Sequence, residues 1–140
     1  MKLLRTNADR LDGFLVSIVS QQIREGAVII YPTDTVYGIG CSIDNIASVK
    51  KVYEIKCREQ DKPLSIAFPN IEMAKKYAEI SPEDEKYITE HINEPFTFVV
   101  KKRPSVPDIV TSGKDTVGIR IPDNIILKKI LEAADTPIIT

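Results

Sequence analysis

The residues best suited to chemistry fall in separate stretches of the chain. The first is Tyr31-Pro32-Thr33-Asp34-Thr35-Val36-Tyr37-Gly38-Ile39-Gly40. Here an apolar run delivers hydroxyls, a carboxylate and glycines into one turn. Glycine permits close backbone approach, and the Thr33 and Thr35 hydroxyls can hold an amine, a carboxylate or a phosphate. A Pro/Asp turn with ordinary hydroxyl capping accounts for the same residues. The spacing is not that of a Walker loop, which ends in Gly-Lys-Ser/Thr.

The second stretch holds Lys56, Arg58 and Lys62, followed by Pro63-Leu64. Lysine acts as a mobile point charge and arginine as a planar fork, so together they can clamp phosphate or carboxylate oxygens. Basic side chains also suit the end of a helix, whose dipole they complement. The third is Thr116-Val117-Gly118-Ile119-Arg120-Ile121-Pro122. An arginine among apolar and small strand residues needs an anion or a solvent-facing side. Lys56, Arg58, Lys62 and Arg120 are expected to converge on one cavity near Thr33 and Thr35, because open α/β sheets gather ligands at strand edges and helix ends.

The elements that must position these groups follow from periodicity. Leu11, Phe14, Leu15, Ile18, Val19 and Ile23 recur at helical spacing, with Gly26 placed to end the helix. Ala27–Tyr31 reads as a buried strand stopped by Pro32. Ile46, Val49, Val52 and Tyr53 mark a second helix, capped by Asp44 or Asn45, and a loop runs from Cys57 to Lys62. Leu64–Phe68 is a strand, Asn70 caps a short helix, and Ser81-Pro82 opens another that turns Ile88 and Ile92 to the core. Phe96–Val100 and Thr116–Ile121 read as strands, Ile125–Ala134 as a helix, and Thr136–Thr140 as the beginning of a strand. Strands interspersed with helices predict a mixed, twisted sheet with helical cover.

Composition narrows the function classes. The chain has 140 residues, 43% hydrophobic and 28% charged, an ordinary globular balance for one domain. Its net charge of -1 supplies no overall basic field toward nucleic acid or anionic membrane. Two cysteines and one histidine make neither a disulfide framework nor a zinc cluster, and His91 is expected to be a helix residue without a catalytic role. No run approaches the ~18 apolar residues of a membrane span, so a cytoplasmic location is expected. Aromatic residues are 6%, with no basic–aromatic interleaving of the kind that binds RNA.

Taken in order, these segments resemble the YrdC/Sua5 family of threonylcarbamoyl-AMP synthases. The resemblance rests on Pro32–Gly40, on Lys56-Cys57-Arg58 with Pro63-Leu64, on Pro95-Phe96-Thr97, and on Val110-Thr111-Ser112-Gly113 with Thr116-Val117 and Arg120-Ile121-Pro122. It implies an α/β, YrdC-like twisted open mixed sheet with helices and a large concave groove. It implies one domain over residues 1–140, incomplete at its C-terminus, because family members continue after Ile139 into a Ser/Thr-Ser-Ala-Asn segment of which only Thr140 is present; these residues alone are therefore expected to be a poor synthase. The implied activity joins L-threonine, bicarbonate and ATP into L-threonylcarbamoyladenylate, with Mg2+ carried largely on the ATP phosphates. Partner proteins of the t6A machinery would then modify tRNA, and direct RNA binding by this chain stays an open alternative.

By resemblance, Lys56 and Arg58 are the catalytic cations. Thr33, Thr35, Tyr37 and Arg120 hold substrate, with Arg120 on the threonine carboxylate. Lys56, Arg58, Lys62, Thr111 and Thr140 hold the nucleotide. Asp34 is open between a metal or amine role and a structural one. The chain departs from the family at Ala67 and Asn124, where histidine is common. The competing readings are a double-stranded RNA-binding module and a carbamoyl-transfer domain like that of hydrogenase maturation proteins.

Overall fold

The computed structural model describes residues 1–7, 9, 12–33 and 35–140. Its elements, in chain order, are α1 (Gly13–Arg24), β1 (Ile29–Tyr31), β2 (Gly38–Gly40), α2 (Ile46–Ile55), β3 (Ser65–Ala67), α3 (Ile71–Ala74), β4 (Ala78–Glu79), α4 (Pro82–Glu90), β5 (Phe98–Lys102), α5 (Asp108–Thr111), β6 (Thr116–Arg120), α6 (Ile125–Ala134) and β7 (Ile138–Ile139).

Local chemistry sets most helix ends. Asp12 caps α1, Asn45 caps α2, Asn70 caps α3 and Asn124 caps α6, each accepting from backbone N–H groups of the first turn. Such a cap contributes about 1 kcal/mol. Ser81 and Asp84 form a reciprocal capping box on α4, with Pro82 in the first turn, where its missing N–H costs nothing. At the other end of α1, Gly26 takes φ +89°. The N–H of Ala27 then reaches back to Gln22 O and that of Gly26 to Ile23 O, which closes a Schellman turn.

The main sheet runs β4-β5-β6-β3-β7. Among the described residues only β3 and β6 pair in parallel, with Ser65 opposite Gly118 and Ala67 opposite Arg120. The other pairings are antiparallel. The hairpin β1-β2 pairs separately, and it joins the edge of the main sheet through Ile139 N–H to Cys41 O (3.0 Å) and the bridge between Ser42 and Ile138. One sheet face turns Ile66, Val117 and Ile119 into a core completed by Val49, Val52, Tyr53 and Phe68. On the opposite face Ala67 and Ile138 are covered by Ile23 of α1, Tyr31 of β1 and Leu127, Ile130 and Leu131 of α6. Farther across that face, Val99 is 69% exposed.

Several sequence expectations shift. The strand expected over Phe96–Val100 lies at Phe98–Lys102, because its register against β6 pairs Phe98 with Ile119 and Lys101 with Thr116. Phe96 instead stacks near His91, their ring centroids 6.0 Å apart. The strand expected from Ala27 begins at Ile29, since Ala27 is still closing the helix turn. Gly38–Gly40, first read as part of a turn, is strand β2. The first apolar helix position, Leu11, lies outside the described residues.

Candidate functional site

Strand β6 alternates: Val117 and Ile119 are buried, while Gly118 and Arg120 are half-buried on the other side. That alternation settles which way Arg120 projects. It lies on the face where Ala67, its partner in register, packs against Tyr31 and Ile138. Gly118 keeps this face low. A Cβ there would meet Thr97 Cγ2 at 2.9 Å and Ser65 Cβ at 3.2 Å, so Thr97 and Ser65 close over the strand only because residue 118 has no side chain. Ser65 in turn accepts from Thr140 N–H at its carbonyl (2.9 Å), which brings Thr140 alongside β3.

Tyr31 is the member of this neighbourhood that sequence reasoning did not single out as a site residue. It is 3% exposed, and its ring lies where side chains at Gly38 and Gly40 would stand: a Cβ at Gly38 would meet its Cζ at 2.7 Å. Its hydroxyl is buried and makes no hydrogen bond of good geometry. Burial pushes the phenol pKa up, while the nearby Thr140 side chain and then the Arg120 charge draw it back down. The sequence signal was two glycines spaced two apart in a strand-forming run, which leaves room on one side for a large ring.

The basic loop is built differently. Cys57, at φ +48°, ends α2 in a left-handed turn, with Arg58 N–H on Tyr53 O (2.9 Å) and Cys57 N–H on Glu54 O (3.0 Å). A non-glycine residue there stores on the order of 1 kcal/mol of strain. Arg58 then folds onto its own loop, donating from Nε to Lys62 O (3.2 Å) and from Nη2 to Pro63 O (2.8 Å). The Tyr53 hydroxyl also donates to Lys62 O (3.2 Å), and Ser112 Oγ to Gln60 O (2.7 Å), so core and α5 both anchor the loop. Lys56 caps α2, and burial first, then the Arg58 charge, pushes its ammonium pKa down. Such a site disfavours further cations and gains from an anion. Lys62 is exposed and paired with Glu59 at 2.9 Å, a surface bond worth at most about 1 kcal/mol.

The structure thus groups Lys56, Arg58 and Lys62 in one loop, and Arg120, Tyr31 and Thr140 in a second neighbourhood. Strand β3 links them: Ser65, the partner of Thr140, follows the basic loop directly after Pro63-Leu64. Thr33 serves its own turn, its Oγ1 accepting from the N–H groups of Thr35 and Val36 (both 3.2 Å) and donating to Val36 O. Thr35 is exposed, with its hydroxyl 3.3 Å from that of Thr33, and Tyr37 is exposed. Thr111 stands apart: it is fully buried, with its Oγ1 3.5 Å from Asp108 O, and presents no hydroxyl to solvent. Asp34 lies outside the described residues. His91 is half-buried at the C-cap of α4, with Nδ1 2.8 Å from Tyr87 O.

Asn124, at a position of family departure, uses its side chain to cap α6, accepting from Ile126 and Leu127 N–H at 3.1 Å. Of the basic run that ends β5 and follows it, Lys102 is bound to Asp108 and Arg103 donates to Lys75 O (2.8 Å). Two open grooves of about 480 and 580 Å³ run beside β5 and α4, between them lined by residues such as Tyr87, Phe96, Val99 and Lys101. None of the residues expected to bind threonine or ATP lines either groove.

Comparison with known proteins bears on these groupings. A family model for Sua5, YciO and YrdC, described as "Telomere recombination", matches residues 21–140. A putative threonylcarbamoyl-AMP synthase of Methanocaldococcus jannaschii is 40% identical over 116 residues, covering 83% of this chain and 55% of the relative. The threonylcarbamoyl-AMP synthase of Pyrococcus abyssi is 32% identical over 139 residues, covering 99% of this chain and 41% of the relative. The crystal structure of P. abyssi Sua5 complexed with L-threonine superposes with a TM-score of 0.84 at 33% identity, over 93% of this chain and 38% of that one. The chain therefore spans about half or less of the length of these curated relatives. With the family model matching most of its residues and this fold shared, the chain belongs to the Sua5/YciO/YrdC family.

Proposed function

We propose that this chain supplies the substrate-binding part of an L-threonylcarbamoyladenylate synthase. The observation that carries the reading is the half-buried Arg120 at the end of a strand, on the sheet face that Tyr31 covers, in a chain similar to a protein crystallised with L-threonine. A guanidinium in that position suits a small carboxylate. The Lys56–Arg58 loop supplies the second requirement, a cationic seat for phosphates.

In this reading the threonine amine attacks the bicarbonate carbon, a C–O bond breaks, and water leaves to give a carbamate. A carbamate oxygen attacks the α-phosphorus of ATP, and pyrophosphate leaves with the bond electrons. Arg120 holds the threonine carboxylate, Thr33 and Thr35 line the approach, and Tyr37 stands at its mouth. Lys56 and Arg58 stabilise charge on the phosphoryl oxygens, Lys62 leaves Glu59 to join them, and Thr140 borders the nucleotide. Catalysis is then positioning and charge stabilisation, without a protein nucleophile. Mg2+ enters as part of the Mg-ATP substrate; among the described residues no group of three or more His, Cys, Asp or Glu side chains gathers to hold a metal. Transfer to tRNA by partner proteins of the t6A machinery, and a cytoplasmic setting, belong to the same proposal.

The test is pyrophosphate release from Mg-ATP by an intact protein that carries this chain. It is expected only when L-threonine and bicarbonate are both present. Release that ignores threonine would remove the synthase reading, and release unchanged with carbamoyl phosphate in place of bicarbonate and threonine would favour carbamoyl-transfer chemistry.

A further inference from the structure

The Tyr31 hydroxyl is a buried polar group left without a proper partner. A hydroxyl taken from water without a replacement hydrogen bond is costly, so a buried phenol oxygen of this kind marks either wasted stability or a partner that arrives later. The surroundings favour the second. The ring is held by close contact with Gly38 and Gly40, two residues whose missing side chains make its seat. Its covering cluster contains Ala67 and Ile138, which pair with each other, and Ala67 also pairs with Arg120. One hairpin therefore sets the Tyr31 ring on the sheet face where Arg120 stands, near enough for the Arg120 charge to act on the phenol.

We propose that Tyr31 is a positioning residue for a small amino-acid carboxylate bound at Arg120, its O–H donating to one carboxylate oxygen while the guanidinium holds the other. This deepens the synthase reading and rests on it. Burial keeps the phenol protonated well above neutral pH, so it remains a donor whenever the carboxylate is ionised. The arrangement rewards a free carboxylate and leaves an amide or ester in its place poorly held, which makes Tyr31 a determinant of substrate class.

The experiment is calorimetric titration of the chain and of its Tyr31→Phe variant with L-threonine and with L-threoninamide, beside thermal unfolding of both without ligand. Phenylalanine preserves the ring and removes only the oxygen. The expected result is L-threonine affinity weakened roughly 10- to 100-fold, the range of one hydrogen bond to a charged group. Threoninamide affinity should change little, and the ligand-free melting temperature should hold or rise, because the hydroxyl makes no well-formed hydrogen bond in the empty protein. A melting temperature that falls while threonine affinity holds would assign Tyr31 a structural role and overturn the inference. Absence of L-threonine binding to the unaltered chain would overturn the synthase reading itself, and this inference with it. If Tyr31→Phe does not fold, tyrosine labelled with 13C at Cζ gives the answer in the unaltered chain. The Tyr31 signal should move on adding L-threonine, and an unmoved signal with threonine bound overturns the proposal.

Discussion

Replacing Gly40 by alanine tests the seat on which the Arg120 neighbourhood depends. A Cβ at residue 40 would stand 2.0 Å from the carbonyl oxygen of Ile139, and that oxygen belongs to backbone, which cannot swing aside as a side chain can. Relief requires β2 and β7 to separate by about 1 Å, to the closest distance that Cβ atoms ordinarily tolerate. The Ile139 N–H to Cys41 O bond lies in the path of that movement. Its weakening costs about 1 kcal/mol, and overpacking adds roughly 1–3 kcal/mol, so Gly40→Ala should lose about 2–4 kcal/mol. Against a typical 5–15 kcal/mol for a whole domain this is a large share. With a urea slope of about 1–3 kcal/mol/M, the unfolding midpoint should fall by roughly 1–2 M. Gly13→Ala is the control: no atom lies within 4 Å of a Cβ there, and the residue begins a helix, so stability should hold or rise by up to about 1 kcal/mol. A Gly40→Ala chain within about 0.5 kcal/mol of the original, or two glycines behaving alike, would refute the packing argument.

Further expectations concern charge. Arg58→Ala should lower pyrophosphate release or nucleotide affinity about 10-fold or more, from one charge-assisted bond of about 1.5–3 kcal/mol. Lys101→Ala should do nothing measurable, since Lys101 makes only an exposed 3.6 Å pair with Glu79; equal effects in kinetic assays would defeat the phosphate assignment. Cys41 is fully buried, and burial pushes its thiol up to about 12 from 9.0. Above pH 9 the unfolded chain loses a proton that the folded chain keeps, so stability should fall by about 1.4 kcal/mol per pH unit from pH 9 toward 12. Urea titrations at stepped pH should show that slope flattened in Cys41→Ala, and an unchanged slope would reject the buried-thiol account.

Much of the scaffold was legible in the sequence because its causes are local. Caps at Asn45, Asn70 and Ser81, the glycine stop at residue 26, and the apolar spacing of α1, α2 and α6 each act within one or two helical turns. The ordered motifs carried the family as well, since backbone-approach glycines and paired cations leave a mark in residue type alone. Short elements escaped. Strand β4 has two residues and α5 four, too few for a period to declare itself. Register escaped too: only the pairing of β5 with β6 decides that the strand begins at Phe98 rather than Phe96. The tertiary structure alone decided that Arg58 bends back onto Lys62 and Pro63, that Thr111 is buried, and that Tyr31 lies within electrostatic reach of Arg120 and Thr140. The Arg58 turn is local but unmarked by any period, whereas the Tyr31 neighbourhood joins residues far apart in the chain through sheet order and packing, which no window of sequence contains.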